Sequence, residues 1–406
     1  MFIYKAAVVG GGAMGSEIAQ VITYSGLPVV LKEINEELAQ KALTHIRHIY
    51  QMRVDKGKMT AEEMAAKMNL VSVTTSFDAL KDADIVIEAV PEKMDLKTKV
   101  FKELDAVIPE QAILATNTSA LSISALGAVT KRPGKVVGIH FFFPAHVMKL
   151  VEVIPGLGTA DETVTDAVTF CESLRKIAIR VNECAGFLVN RLLMPYLNEA
   201  AFAAQEGSAT FKQIDQAMVD FGFPMGPFTL VDTIGLDICH DVVGVLLEEY
   251  GNRMTPARLW GEIHKKNRFG VKNGAGFYNY GAASGEDKGV EEILKQLKMT
   301  ASSKKAPFSA QRLLLSMINE AALCIQERIS SPTDIDLAVL AGIGFPQSKG
   351  GLLQFADEAG LDVILNQLNG LCEIYGERFF PAPLIRRMVH AGFLGKKTKR
   401  GFLEYA

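Results

Sequence analysis

Ala6-Ala7-Val8-Val9-Gly10-Gly11-Gly12-Ala13-Met14-Gly15 decides the fold. Four apolar residues run unbroken into a G-x-G-x-x-G, and residues 16–24 follow with helical spacing. A strand, a glycine turn and a helix in that order open a dinucleotide-binding unit. Gly10 allows the tight turn, and Gly12 lets the backbone approach a pyrophosphate. Gly15 lets the helix pack closely on the sheet. The helix N-terminus, with Ala13 and Met14 in its first turn, then faces the phosphates. Glu33 lies 18 positions past Gly15, where a carboxylate meets the ribose. No Arg follows it in Ile34-Asn35, so the cofactor reads as NAD rather than NADP. The plain alternative is a glycine turn in an α/β protein that holds no nucleotide.

Working outward, further apolar runs occupy residues 29–31, 84–90, 112–115 and 136–139. Continuous apolar strands alternating with helices imply a parallel sheet covered on both faces. Residues 35–68 are polar and mostly helical, longer than a crossover needs, and are expected to project from the sheet as an arm. The whole chain has 406 residues, enough for two or three domains at roughly 150 each. Lys plus Arg total 43 against 46 for Asp plus Glu, a net charge of −3 that speaks against nucleic acid as a partner. The five Cys form no C-x-x-C pair, which argues against a disulfide framework and for a reducing, cytoplasmic setting. No run of 18 apolar residues exists, so no membrane span is expected. The N-terminus reads directly as a strand rather than as a signal peptide.

Beyond residue 183 strand signals fade and the sequence repeats itself. Asn190-Arg191-Leu192-Leu193 returns as Gln311-Arg312-Leu313-Leu314, and Asn198-Glu199-Ala200-Ala201 as Asn319-Glu320-Ala321-Ala322, at an offset of 121. Gly222-Phe223-Pro224 returns as Gly344-Phe345-Pro346. Asp232 and Gly276-Phe277 return as Asp357 and Gly401-Phe402 at an offset of 125. The predicted architecture is an α/β Rossmann-type dinucleotide-binding domain over 1–183, followed by two repeated all-α domains. These cover 184–281 and 305–406, joined by a polar linker, 282–304, with one short helix.

Candidate chemistry gathers in the first domain. Asn117-Thr118-Ser119 follows the strand at 113–116, at the carboxyl end of the sheet where ligands bind. His140 ends another strand run. Glu152 lies in the apolar run Leu150-Val151-Glu152-Val153, where an unpaired carboxylate would be costly to bury. A histidine oriented by a carboxylate makes a general base. Spacing alone leaves two readings open: that pair, or a surface histidine and a glutamate with separate partners. His45, His48, His146, His240, His264 and His390 show no metal-ligand spacing, and no metal is expected.

These residues resemble the L-3-hydroxyacyl-CoA dehydrogenase family. The resemblance is carried by Gly10 to Gly15, Glu88-Ala89-Val90-Pro91-Glu92, Asn117-Thr118-Ser119, His140-Phe141-Phe142, and Met148-Lys149-Leu150-Val151-Glu152-Val153. Gly186-Phe187-Leu188-Val189-Asn190-Arg191, Phe223-Pro224-Met225-Gly226-Pro227 and Gly274-Ala275-Gly276-Phe277-Tyr278 continue it. The second copy resembles the extra module of multifunctional β-oxidation proteins, with no stretch here for their enoyl-CoA hydratase region. The resemblance implies NAD-dependent interconversion of 3-hydroxyacyl-CoA and 3-ketoacyl-CoA, 3-hydroxybutyryl-CoA included. It makes His140 the catalytic base and Glu152 its orienting carboxylate, with Ser119 and Asn190 bonding the substrate oxygen. Glu92, Lys97, Asn117 and Lys272 become cofactor-side residues, and Lys97 is a candidate for the acyl-CoA as well. Lys56, in the arm, becomes a partner of the CoA phosphates. By spacing alone Lys56 and Lys272 also read as plain surface lysines.

One position departs from the family. Phe143 stands where single-function members usually carry Asn, and it can make no polar contact near a nicotinamide. Two competitors therefore stand beside the leading reading: a hydroxy-acid dehydrogenase with a non-CoA substrate, and an NAD-binding relative without turnover. The repeated helical domains are expected to pack on each other as an internal pseudo-dimer, in a monomer or a homodimer.

Overall fold

The computed structural model describes residues 1–281, 288–298 and 307–406. The chain forms two compact units, Met1–Glu183 and Cys184–Ala406.

The first unit is built on eight strands: β1 (Ala6–Val9), β2 (Val29–Lys32), β3 (Val71–Thr74), β4 (Ile85–Glu88), β5 (Ile113–Thr116), β6 (Val136–Phe141), β7 (Leu150–Pro155) and β8 (Ile177–Arg180). Their order is β3-β2-β1-β4-β5-β6-β7-β8. Strands β1, β2, β4, β5 and β6 are buried along their whole length, which explains the unbroken apolar runs. β1 to β6 are parallel, as expected, but β7 runs antiparallel to β6 and β8 is parallel to β7. This reversal lies beyond the strands on which the parallel reading rested. It follows from the loop at residues 142–149, which is too short for a crossover helix, so the chain turns back as a hairpin.

Six helices cover the sheet: α1 (Ala13–Tyr24), α2 (Glu36–Asp55), α3 (Ala61–Met68), α4 (Met94–Val107), α5 (Ile123–Ala128) and α6 (Asp161–Ser173). The expectation of a free arm over 35–68 is corrected. Ala39, Ala42, Ile46, Ile49 and Tyr50 form one buried stripe of α2. The Tyr50 hydroxyl lies 2.8 Å from the Thr23 hydroxyl on α1. An apolar stripe at 3–4-residue spacing makes a helix pack rather than project.

The second unit contains α7 (Val189–Gln205), α8 (Phe211–Phe221), α9 (Pro227–Ile234), α10 (Leu236–Tyr250), α11 (Arg258–His264), α12 (Lys288–Lys298), α13 (Ala310–Gln326), α14 (Pro332–Ala338), α15 (Leu352–Ala359), α16 (Leu361–Tyr375) and α17 (Pro383–His390). α12 is the short helix of the expected linker. It buries Val290, Ile293 and Leu297 and packs on α11 and α7, so this part of the linker belongs to the helical core. The rest of 282–304 lies outside the described residues.

α7 and α13, the matching helices of the two copies, pack together with reciprocal chemistry. Arg191 Nε donates to Glu320 at 2.8 Å, and Arg312 Nε donates to Glu199 at 2.6 Å. Arg253 binds Glu320, and its counterpart Arg378 binds Glu199. Arg191 lies over the Tyr250 ring and Arg312 over Tyr375. A Cβ on Gly222 would meet Pro346 at 3.0 Å, and one on Gly344 would meet Pro224 at 3.0 Å. Each contact recurs with the copies exchanged, which is the signature of an isologous interface.

Candidate active site

The glycine turn is shaped for a ligand backbone. Gly10 has φ +96°, and a Cβ there would lie 2.7 Å from the Ala89 carbonyl oxygen of the next loop. A Cβ on Gly15 would fall 1.8 Å from the Gly10 carbonyl oxygen, so helix and turn touch through that glycine. Gly12 is exposed and has nothing within 4 Å of where a Cβ would be. It is also the N-cap of α1 and supplies no side-chain cap. The first N–H groups of α1, including those of Ala13 and Met14, thus face an open space at the positive end of a helix dipole. Glu33 accepts from the Gly11 N–H and from Ile34 N–H at 2.8 Å, which seats its carboxylate beside the turn. These residues fit a dinucleotide: an anion cradle at the helix and an acceptor for ribose hydroxyls.

His140 and Glu152 are direct cross-strand partners in the antiparallel β6–β7 pair. His140 Nδ1 lies 2.8 Å from Glu152 Oε2, and the carboxylate is fully buried. The open question about this pair is thereby answered in geometry. With Nδ1 held by the carboxylate, proton exchange falls to Nε2. The Phe142 ring packs on the imidazole with centroids 4.6 Å apart. Asn117 Oδ1 accepts from Phe141 N–H at 2.8 Å, tying the end of β5 to the end of β6.

A second network surrounds Ser119. Glu92 Oε1 accepts from Ser119 N–H at 2.8 Å and from the Thr118 hydroxyl at 2.5 Å. Lys97 lies 3.3 Å from Glu92 Oε2 and 2.7 Å from Glu88 Oε1. Glu88 also accepts from the Thr116 hydroxyl and from Val90 N–H, each at 2.7 Å. Lys97 and Glu88 are both fully buried. The Lys97 ammonium is enclosed by Glu88, Glu92 and the Val90 carbonyl.

Lys56 is exposed and caps the C-terminus of α2. That end of the helix lies by Tyr24 at the close of α1, where Arg53 donates to the Tyr24 hydroxyl at 2.7 Å. The 20-residue helix is about 30 Å long at about 1.5 Å per residue, and its other end adjoins Glu33. Asn190 stands in the first turn of α7, and Lys272 is exposed and paired with Asp237. Both belong to the second unit. Phe143 is 65% exposed.

Sequence reading assigned no site role to Glu88, Thr116 or Glu17. Glu88 carries a usable signal, a charged residue closing an apolar strand with a lysine nine positions on. Glu17 is 3% exposed on α1 and faces His45 and His146, two histidines without metal-ligand spacing. Among the described residues no group of three His, Cys, Asp or Glu could hold a metal ion. Nor is any helix among them long and apolar enough to cross a membrane.

A dinucleotide-binding domain bearing a histidine–carboxylate pair at the carboxyl edge of its sheet defines the class of pyridine-nucleotide dehydrogenases. Residues 5–184 match the model of the 3-hydroxyacyl-CoA dehydrogenase NAD-binding domain, and residues 186–280 and 308–405 each match that of its C-terminal domain. The chain belongs to the 3-hydroxyacyl-CoA dehydrogenase family. It is similar to the fatty acid oxidation complex subunit alpha of Shewanella amazonensis, 39% identical over 96% of this chain and 56% of that one. The chain thus spans about half the length of the curated relatives it matches. Among solved structures, 3-hydroxybutyryl-CoA dehydrogenase from Escherichia coli K12 superposes with TM-score 0.87 at 30% identity, covering 97% of this chain and 100% of that one. (S)-3-hydroxybutyryl-CoA dehydrogenase from Ralstonia eutropha gives TM-score 0.68 at 39% identity over 69% of this chain and 100% of its own.

Proposed function

We propose that the chain interconverts (S)-3-hydroxyacyl-CoA and 3-ketoacyl-CoA with NAD, with a short acyl chain such as 3-hydroxybutyryl. The observation that carries this reading is the His140–Glu152 pair at 2.8 Å in the same domain as an open, uncapped glycine turn. NAD, when bound, supplies the hydride acceptor. In the oxidation, His140 Nε2 takes the proton of the 3-hydroxyl, and buried Glu152 steadies the imidazolium that results. The Ser119 hydroxyl and Asn190 bond the substrate oxygen, where donors stabilise developing charge. Asn117 fixes the strand end that bears His140. Glu92, backed by Lys97, shapes the Ser119 loop on the cofactor side. Gly10, Gly12, Ala13, Met14, Gly15 and Glu33 hold the cofactor, and Lys272 is a further candidate cofactor residue.

With a net charge of −3 there is no general basic field, so CoA phosphates must meet local cations. Lys56 serves the distal phosphates if the ligand extends that far. We place the protein in the cytoplasm, acting as a monomer or homodimer. Its five cysteines, with no C-x-x-C among them, suit a reducing compartment.

The test is NADH oxidation with acetoacetyl-CoA, then a chain-length series, then free acetoacetate. Turnover with the CoA ester and little with the free acid is expected. His140→Ala should lower kcat by about 10²–10⁴-fold, the usual worth of a positioned general base, and leave NADH affinity near wild type. Wild-type turnover in that variant would remove His140 as the base.

A further inference from the structure

The loop at 142–149 joins the strands that carry His140 and Glu152, and it is fastened at one residue. The Ala145 N–H donates to the Glu17 carboxylate on α1. The Ala145 carbonyl accepts from the Lys176 ammonium, which also donates to the Met148 carbonyl at 2.7 Å. The groups that face Glu17 come from three elements. His45 Nε2 on α2 lies 3.8 Å away, His146 Nδ1 on the loop lies 3.2 Å away, and Lys176 stands close enough before β8 to feel its charge. A buried carboxylate is expensive unless it is paired and hydrogen-bonded, and the hydrogen bond that Glu17 accepts comes from the loop, at Ala145.

α1 is the helix whose N-terminus forms the pyrophosphate cradle, and β6 is the strand that bears His140. The cradle and the base therefore stand on separate elements. The separation between the bound nicotinamide and the 3-hydroxyl depends on how the β6–β7 hairpin sits against α1. Core packing sets this broadly, and one directed contact sets it finely. We propose that Glu17 is a positioning residue for the reaction. By clamping Ala145 it holds the β6–β7 hairpin, with His140, Glu152 and Phe142, in register with the cofactor-binding helix. The proposal rests on the dehydrogenase reading above.

The experiment compares Glu17→Ala and Glu17→Gln with wild type in kcat, KM and NADH affinity. Amide hydrogen exchange at Ala145 is followed in wild type without any ligand. A misplacement of about 1 Å can cost roughly 10²-fold in rate. Glu17→Ala should therefore lose at least about tenfold in kcat, with NADH affinity within about twofold. Glu17→Gln can still accept the Ala145 N–H and should recover most of that loss. Three results would each overturn the proposal: kcat of Glu17→Ala within twofold of wild type, NADH affinity falling in step with kcat, or a fast-exchanging Ala145 amide in wild type. The exchange measurement decides the matter even if Glu17→Ala does not fold. If wild type turns over no acyl-CoA, the dehydrogenase reading fails, while slow Ala145 exchange would still establish the clamp.

Discussion

At the scale of single residues, the site depends on charges taken out of water. Lys97 and Glu88 are both fully buried, and each satisfies the other. Removing one partner of such a pair leaves an uncompensated charge and typically costs about 3–5 kcal/mol. Lys97→Met should show a loss of that order in urea unfolding of the first unit and a fall in turnover, because Glu92 loses its backing as well. Lys176 offers a pH test. Burial pushes its ammonium down to about 8 from the ordinary 10.5. Between those values the unfolded chain holds a proton that the folded chain does not. Unfolding then takes up a proton and becomes harder as pH rises. The stability of wild type relative to Lys176→Gln should increase from pH 8 to pH 10.5, as read from paired urea midpoints. A flat or falling difference would contradict the buried ammonium. His140 and Glu152 were each visible in the sequence as polar residues in apolar runs. Spacing alone left their pairing as one of two readings, because residues twelve apart share no register until the antiparallel return of β7 sets them opposite each other.

At the scale of elements, legibility followed burial. β1, β2, β4, β5 and β6 are buried on both faces and stand out as continuous apolar runs. β3, Val-Ser-Val-Thr, lies at the sheet edge with no residue fully buried, and β8, Ile-Ala-Ile-Arg, buries only Ile179. Four-residue strands of that kind carry too few apolar positions to be told from loop. α12 lies in the polar stretch where one short helix was expected, and its three buried residues fall three and four apart, the spacing of one helix face. What the polar composition did not disclose is that this face packs into the helical core. The first turn of α1 was legible down to its atoms. Gly15 is where helix and strand turn meet, with a Cβ due 1.8 Å from the Gly10 carbonyl oxygen. Gly15→Ala must push α1 off the turn. It should weaken NADH binding at least about tenfold, the equivalent of roughly 1.4 kcal/mol, as measured by fluorescence titration. Gly12→Ala, which meets no protein atom, should fold as wild type and lose affinity only through the ligand.

At the scale of the whole molecule, the duplication works as an internal control. The second copy has no dinucleotide fold of its own, so what both copies share belongs to the architecture of the module. Lys272 with Asp237 is matched by Lys397 with Asp362. Asp232, which accepts from Phe277 and Tyr278 N–H, is matched by Asp357, which accepts from Phe402 and Leu403 N–H. The Arg–Glu pairs across α7 and α13 are matched one for one. The Lys272–Asp237 pair is therefore explained without a cofactor, and a cofactor contact of Lys272 would come on top of it. Differences between the copies carry the opposite message. Asn190 becomes Gln311, in the same first turn of the matching helix, and the Gln311 amide bonds Gln367 at 3.2 Å. If Asn190 serves the substrate oxygen, one added methylene displaces its amide from that oxygen and leaves the helix intact. Asn190→Gln should then lower kcat by about 10²–10³-fold, as loss of one oxyanion donor does, with the unfolding midpoint nearly unchanged. The reciprocal change, Gln311→Asn, should leave both kcat and KM at wild-type values. Equal effects of the two substitutions would mean that the position is structural in both copies, and Asn190 would lose its role at the substrate.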